Sequence, residues 1–96
     1  MDVLVTYDVS TVTREGQRRL ARVAKICEGF GVRVQYSVFE CRLSASAFEK
    51  LKATIGLAIN ASEDSVRIYR FVGALENSVE TIGSERPWSA GGPWIV

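Results

Sequence analysis

Histidine is absent from the 96-residue chain. Its absence removes the commonest neutral-pH general base and every Ser-His or Cys-His nucleophile pair. Any hydrolytic chemistry must lean on carboxylates, a metal ion or both. Cysteine occurs only as Cys27 and Cys41, with no Cys-x-x-Cys, so the usual zinc patterns are excluded. Cys27 lies on an apolar helical stripe and reads as a small core hydrophobe. No apolar run reaches the ~18 residues of a membrane helix, and Asp2 interrupts anything like a secretory leader. The expectation is a soluble cytoplasmic protein with no membrane partner.

An excess of either charge is also lacking: 12 basic residues stand against 11 acidic ones. The distribution says more than the sum. From Arg14 to Arg33 six basic residues (Arg14, Arg18, Arg19, Arg22, Lys25, Arg33) meet only Glu15 and Glu28, which makes a local basic patch. Hydrophobic residues make up 47% of the chain, enough for one domain and no second core. A chain of this size buries only about 60% of its unfolded surface, so its core gains from a partner.

Val3, Leu4 and Val5 have high strand propensity, and the unbroken apolar run predicts a central strand buried on both faces. Tyr7 and Asp8 come where the run stops, so a carboxylate is delivered to the rim of the sheet. Thr13 then caps a helix with Glu15 in its first turn. Leu20, Val23, Cys27 and Phe30 form its apolar stripe, with Arg14, Arg18, Arg22 and Lys25 opposite. Gly29 and Gly31 close the helix, either able to take a left-handed cap. Residues 32–43 are extended and long enough to split into two strands by a reversal near Tyr36-Ser37. A second helix begins at a Ser46/Glu49 capping box and keeps Phe48, Leu51, Ile55 and Ile59 on one side. Residues 65–72 form a strand with Val66 and Ile68 on its aliphatic face, and Val79–Gly83 reads as a short extra edge strand.

This order predicts an α+β, ferredoxin-like β-α-β-β-α-β domain over residues 1–83, both helices on one face of the sheet. The other face is left to water or a second copy, and a symmetric homodimer is the preferred cover. Residues 84–96 hold both prolines, both tryptophans and an adjacent glycine pair, and suit a docking segment or strand on a partner subunit.

Asp8 is the first candidate for chemistry. On pattern alone it reads first as a turn cap. If a two-fold axis brings two copies together, two carboxylates with water and a substrate phosphate make a sufficient seat for magnesium. The cationic side of the first helix would attract phosphates, or is simply a solvated face. Arg33 offers a planar fork at the start of an extended segment. Ser37 and Phe39 share a parity beside the first strand, where Phe39 stacks a base, closes a dimer or fills the core.

Together Thr6-Tyr7-Asp8-Val9-Ser10, the Arg/Lys helix ending at Gly31, Arg33-Val34-Gln35-Tyr36-Ser37-Val38-Phe39-Glu40-Cys41, Arg67-Ile68-Tyr69 and Ile82-Gly83 resemble the CRISPR-associated protein two family. The resemblance covers nearly the whole chain in order, and the RVQ-SVFE stretch is its most specific piece; none is visible in the tail from Ser84. It implies a ferredoxin-like homodimer that takes part in spacer acquisition, bridges integrase subunits and holds DNA. It also implies a metal-dependent phosphodiesterase cutting RNA or DNA, with Asp8 from both protomers as the catalytic ligand of magnesium, or manganese in its place. Ser10, Arg14, Arg18, Arg22, Lys25, Arg33, Ser37 and Phe39 are then the expected nucleic-acid neighbours. A non-catalytic scaffold and a toxin-like RNase on the same fold are the alternatives.

Overall fold

The computed structural model describes residues 1–84. Its elements are β1 (Asp2–Asp8), α1 (Arg14–Glu28), β2 (Val32–Gln35), β3 (Val38–Arg42), α2 (Ala45–Ala58) and β4 (Ser65–Arg70), followed by a 3₁₀ turn at Leu75–Ser78. The sheet is antiparallel in the order β2-β3-β1-β4. β1 is central as expected, since β3 and β4 pair with its two edges.

The helices cover only one face, and β1 alternates accordingly. Val3, Val5 and Tyr7 are buried against the helices, whereas Leu4 and Thr6 are half-buried on the other face and Asp8 is exposed. The expectation of burial on both faces is therefore wrong for Leu4, because an antiparallel sheet with no second helical layer leaves one face uncovered. Phe39 and Cys41 of β3 complete the sheet's inner layer, against Val23 and Cys27 of α1 and Phe48, Leu51 and Ile55 of α2. Burial pushes both thiols up, Cys27 to about 12 and Cys41 to about 11, so they serve as packing groups.

Thr13 caps α1 by accepting from the Gly16 amide (3.1 Å). Gly29 ends that helix in an ordinary right-handed conformation, and Gly31 has no positive φ either. What requires glycine at 31 is space, since a Cβ there would meet the Cys41 sulfur and the Glu40 carbonyl. The cap of α2 is Ser44, which accepts from the Ala47 amide (3.1 Å), not Ser46 with Glu49. Glu49 instead pairs with Lys52 at 2.7 Å. Residues 36–37 reverse the chain between β2 and β3. No strand forms over 79–83; the segment after the 3₁₀ turn pairs with none of the four strands. The expected docking segment lies outside the described residues from 85 onward.

At the end of the sheet remote from Asp8, Arg42 donates to both Asp2 oxygens (2.9 and 3.1 Å) and to Glu76 (2.7 and 2.9 Å). The Leu75 amide donates to Asp2 as well, at 2.8 Å. This clamp ties the 3₁₀ turn to the ends of β1 and β3. It borders a groove of about 840 Å³ between the uncovered face, at Leu4, Val38 and Glu40, and the chain from Leu75 to Ser84.

The Arg42 guanidinium and the Leu75 amide hold the Asp2 carboxyl at about 2, below its ordinary 3.8. A carboxyl lowered by folding contributes stability that is complete above its unfolded value and is lost as pH falls through the folded one. Asp2→Asn should therefore melt below the parent at neutral pH, with the gap closing between pH 3.8 and about 2. Thermal melts by circular dichroism check this, and a gap that persists unchanged to the acid limit contradicts it.

Candidate active site and nucleic-acid face

The direction of each strand decides what gathers at the Asp8 end. β1 finishes there, the β2–β3 reversal lies there because the Tyr7 amide donates to the Ser37 carbonyl (3.2 Å), and β4 starts there with Ser65 opposite Asp8. Asp8, Ser10, Ser37 and Ser65 thus converge from three segments of the chain. Asp8 projects on the uncovered face and is exposed. Among the described residues its carboxylate has no hydrogen-bond or ion-pair partner, so the turn-capping role is not realised. The carboxylate that does hold the following turn is Asp64, which accepts from the Ser10 amide at 3.1 Å.

Asp64 is the functional neighbour that the sequence reading missed. Its side chain is fully buried and takes four donors: Ser10 N–H, Asn60 N–H (2.8 Å), and Arg19 through Nε (2.8 Å) and Nη2 (3.4 Å). Arg19 foremost, with the two amides, holds its carboxyl below the ordinary range. The available signal was its place, an acid immediately before a strand and four residues after Asn60.

The expected nucleic-acid residues separate into two sets. Arg14, Arg18, Arg22 and Lys25 are exposed along the outer side of α1. None has an ion-pair partner among the described residues. Phe39 and Arg33 are corrections. Phe39 is opposite Val5 and wholly buried, so it stacks no base and fills the core. Arg33 is opposite Phe39 and hence on the helix side, across the sheet from Asp8, with its guanidinium 5.1 Å from the Phe39 ring centroid. The Tyr7 ring lies 6.2 Å from that of Phe39; burial raises the Tyr7 phenol, which the hydrogen-bonding Arg33 partly offsets. Arg33 is thus the cationic lid of an aromatic pair rather than a fork held out to phosphate.

Magnesium takes hard oxygen ligands, keeps several waters and needs only one or two carboxylates beside a substrate phosphate. Among the described residues no three acid or thiol side chains converge as a metal cage. Asp64 has its oxygens occupied and Glu63 is engaged by Asn60 (2.9 Å) and Arg19 (3.5 Å), which leaves Asp8 as the open carboxylate at the end of β1. The donor set fits such an ion as half a seat per chain. No helix of the described residues is long and apolar enough to cross a membrane.

Four antiparallel strands with two helices on one face, connected β-α-β-β-α-β, define a ferredoxin-like domain, here with a lone acid at the end of its central strand. The family model described as CRISPR associated protein Cas2 matches residues 1–77, and the chain belongs to that family. It is 51% identical over 70 residues, 73% of each chain, to the CRISPR-associated endoribonuclease Cas2 1 of Moorella thermoacetica. It is 44% identical over 85 residues, 88% of each chain, to the CRISPR-associated endonuclease Cas2 of Halalkalibacterium halodurans. The crystal structure of Streptococcus pyogenes Cas2 superposes with a TM-score of 0.78 at 44% identity, covering 86% of this chain and all (100%) of that one.

The placement of Phe39 generates a test. Phe39→Ala should cost about 3–5 kcal/mol of stability through loss of apolar burial and the cavity left behind. In urea titrations the midpoint falls accordingly, while the folded variant binds a single-stranded RNA like the parent; an unchanged midpoint with weakened binding would restore the stacking role.

Proposed function

We propose that the protein is a metal-dependent endonuclease that hydrolyses phosphodiester bonds of RNA or DNA, working as a homodimer in the cytoplasmic spacer-acquisition machinery of a CRISPR system. The observation that carries this reading is the exposed Asp8 carboxylate at the end of the central strand, unpartnered among the described residues. The relatives named endoribonuclease and endonuclease support the reaction class. The sheet face that no described helix covers, with half-buried Leu4 and Val38 and a 43% exposed Tyr69, supports a second copy as its cover.

Asp8 from each of two copies would hold magnesium or manganese, and such an ion supplies Lewis acidity and neutralises the charge that builds on phosphorus. The chain's own part is to present that carboxylate rigidly and to hold the substrate. Arg14, Arg18, Arg22 and Lys25 draw the phosphates to α1, and Ser10 and Ser37 line the approach to Asp8. A second reading, a non-catalytic scaffold that holds DNA while bridging integrase subunits, is favoured by the absence of any cluster of three potential metal ligands among the described residues.

Asp8→Ala separates the two. It should abolish magnesium-dependent cleavage of a labelled RNA while leaving gel-shift affinity equal or slightly higher, because a negative charge is removed. A variant that cuts like its parent ends the catalytic reading. Replacing Arg18, Arg22 and Lys25 by Glu should weaken binding strongly and flatten its dependence on salt concentration. Unaltered affinity would move the nucleic-acid surface off α1.

A further inference from the structure

We infer that Asp64, Arg19 and Gly16 form a positioning set that fixes the segment from Asp8 to Ser10, and that Arg19 touches no phosphate although it stands in the cationic run of α1. The inference rests on the reading of Asp8 as the reactive end and names what holds that end in place.

Asp8 is held from both sides in sequence. Before the turn it pairs with Ser65, the residue next to Asp64. Two residues later, the Ser10 amide donates to Asp64 Oδ1 at 3.1 Å. The Ser10 carbonyl then lies so close to the first turn of α1 that a Cβ on Gly16 would collide with it. One buried carboxylate therefore gathers the β1–α1 turn, the helix α1 through Arg19 and the α2–β4 turn through Asn60.

An ionised carboxylate has about four lone-pair sites. Asp64 receives four donors, so it has no oxygen free for a metal ion. Arg19 faces the opposite limit. Its side chain is only 15% exposed, Nε is spent on Asp64, and Nη2 lies 3.5 Å from Glu63. Arg18, one position earlier, is exposed and lacks such partners among the described residues. Adjacent arginines on one helix thus have separate duties, since successive residues are turned by about 100° on a 3.6-residue helix.

Steady-state cleavage of a fluorescein-labelled single-stranded RNA in magnesium buffer tests this with the full chain. Arg19→Ala should lower kcat by roughly 10–100-fold with KM unchanged, as displacement of a reacting group does. Arg18→Ala should instead raise KM several-fold. Gly16→Ala, which removes no charge, should reproduce the kcat loss of Arg19→Ala. Arg19→Lys keeps the cation but not the planar fork, and should restore little of the rate; it carries the test should Arg19→Ala fail to fold. A KM increase with kcat kept in either Arg19 variant, or a parental kcat in Gly16→Ala, overturns the inference. Should the parent itself not cut, the nuclease reading falls, and amide hydrogen exchange decides the positioning role separately. Ser10 should then exchange at least about tenfold faster in Arg19→Lys and Gly16→Ala than in the parent and Arg18→Ala, as opening of its hydrogen bond requires; equal protection in all four overturns it.

Discussion

Everything at the Asp8 end follows from the two-residue period of β1. Successive side chains of a strand leave on opposite faces, so the burial of Val3, Val5 and Tyr7 under the helices obliges Leu4, Thr6 and Asp8 to face the other way. Slippage by one residue would drive Asp8 into the core and expose Tyr7. Two neighbours hold the register at once, β3 from Asp2 to Thr6 and β4 from Val3 to Asp8. The position of the acid is thus enforced by hydrophobic burial elsewhere on the same strand. No contact to the carboxylate itself is needed.

Three aspartates near the strand ends show how donor supply sorts identical side chains into different duties. Asp2 receives Arg42 and the Leu75 amide and becomes a clamp for the chain beyond β4. Asp64 receives Arg19 and two amides and becomes the hub of the opposite end. Both are held ionised by those donors, which is the condition for a buried carboxylate to be tolerated. Asp8 receives none from the described residues and keeps its oxygens for water, a cation or a substrate. Among these three aspartates the supply of donors, not the side chain itself, decides which is fixed in structure and which stays open.

Local pattern made much of this legible. Helical stripes, the Thr13 cap, the reversal at 36–37 and the delivery of Asp8 to a strand end are all decided within a few residues of sequence, and the structure agrees with each. Parity tells that Phe39 and Asp8 alternate with their neighbours but not which face the helices cover, so it leaves Phe39 open to the nucleic-acid surface although it is the centre of the core. Arg33 followed it inward through the β2–β3 register. The pairs Arg19–Asp64 and Asp2–Arg42 join residues 45 and 40 positions apart, a separation that no periodicity encodes. The segment over 79–83 has strand-forming residues, yet it lines the groove beside Val32–Gln35 without pairing with any of the four strands.

That long-range pairing also revises the electrostatics of α1. Counted by sequence, the run from Arg14 to Arg33 holds six cations; counted by partner, Arg19 is neutralised by Asp64 and Arg33 lies over Phe39 on the helix side. Four remain, spaced three and four residues apart along the exposed side of the helix. Counterion release scales with the charges that meet phosphate, so on the proposed reading these four would contribute a log–log salt slope no steeper than about −3.6 on duplex or −2.8 on single strands, where all six would give about −5.4 or −4.2. A single row of four cations suits one strand's backbone and reads no base edge, so on the proposed reading a grip by α1 would be sequence-independent. On that reading, selectivity among the described residues would fall to the Asp8 end, whose turns Asp64 holds.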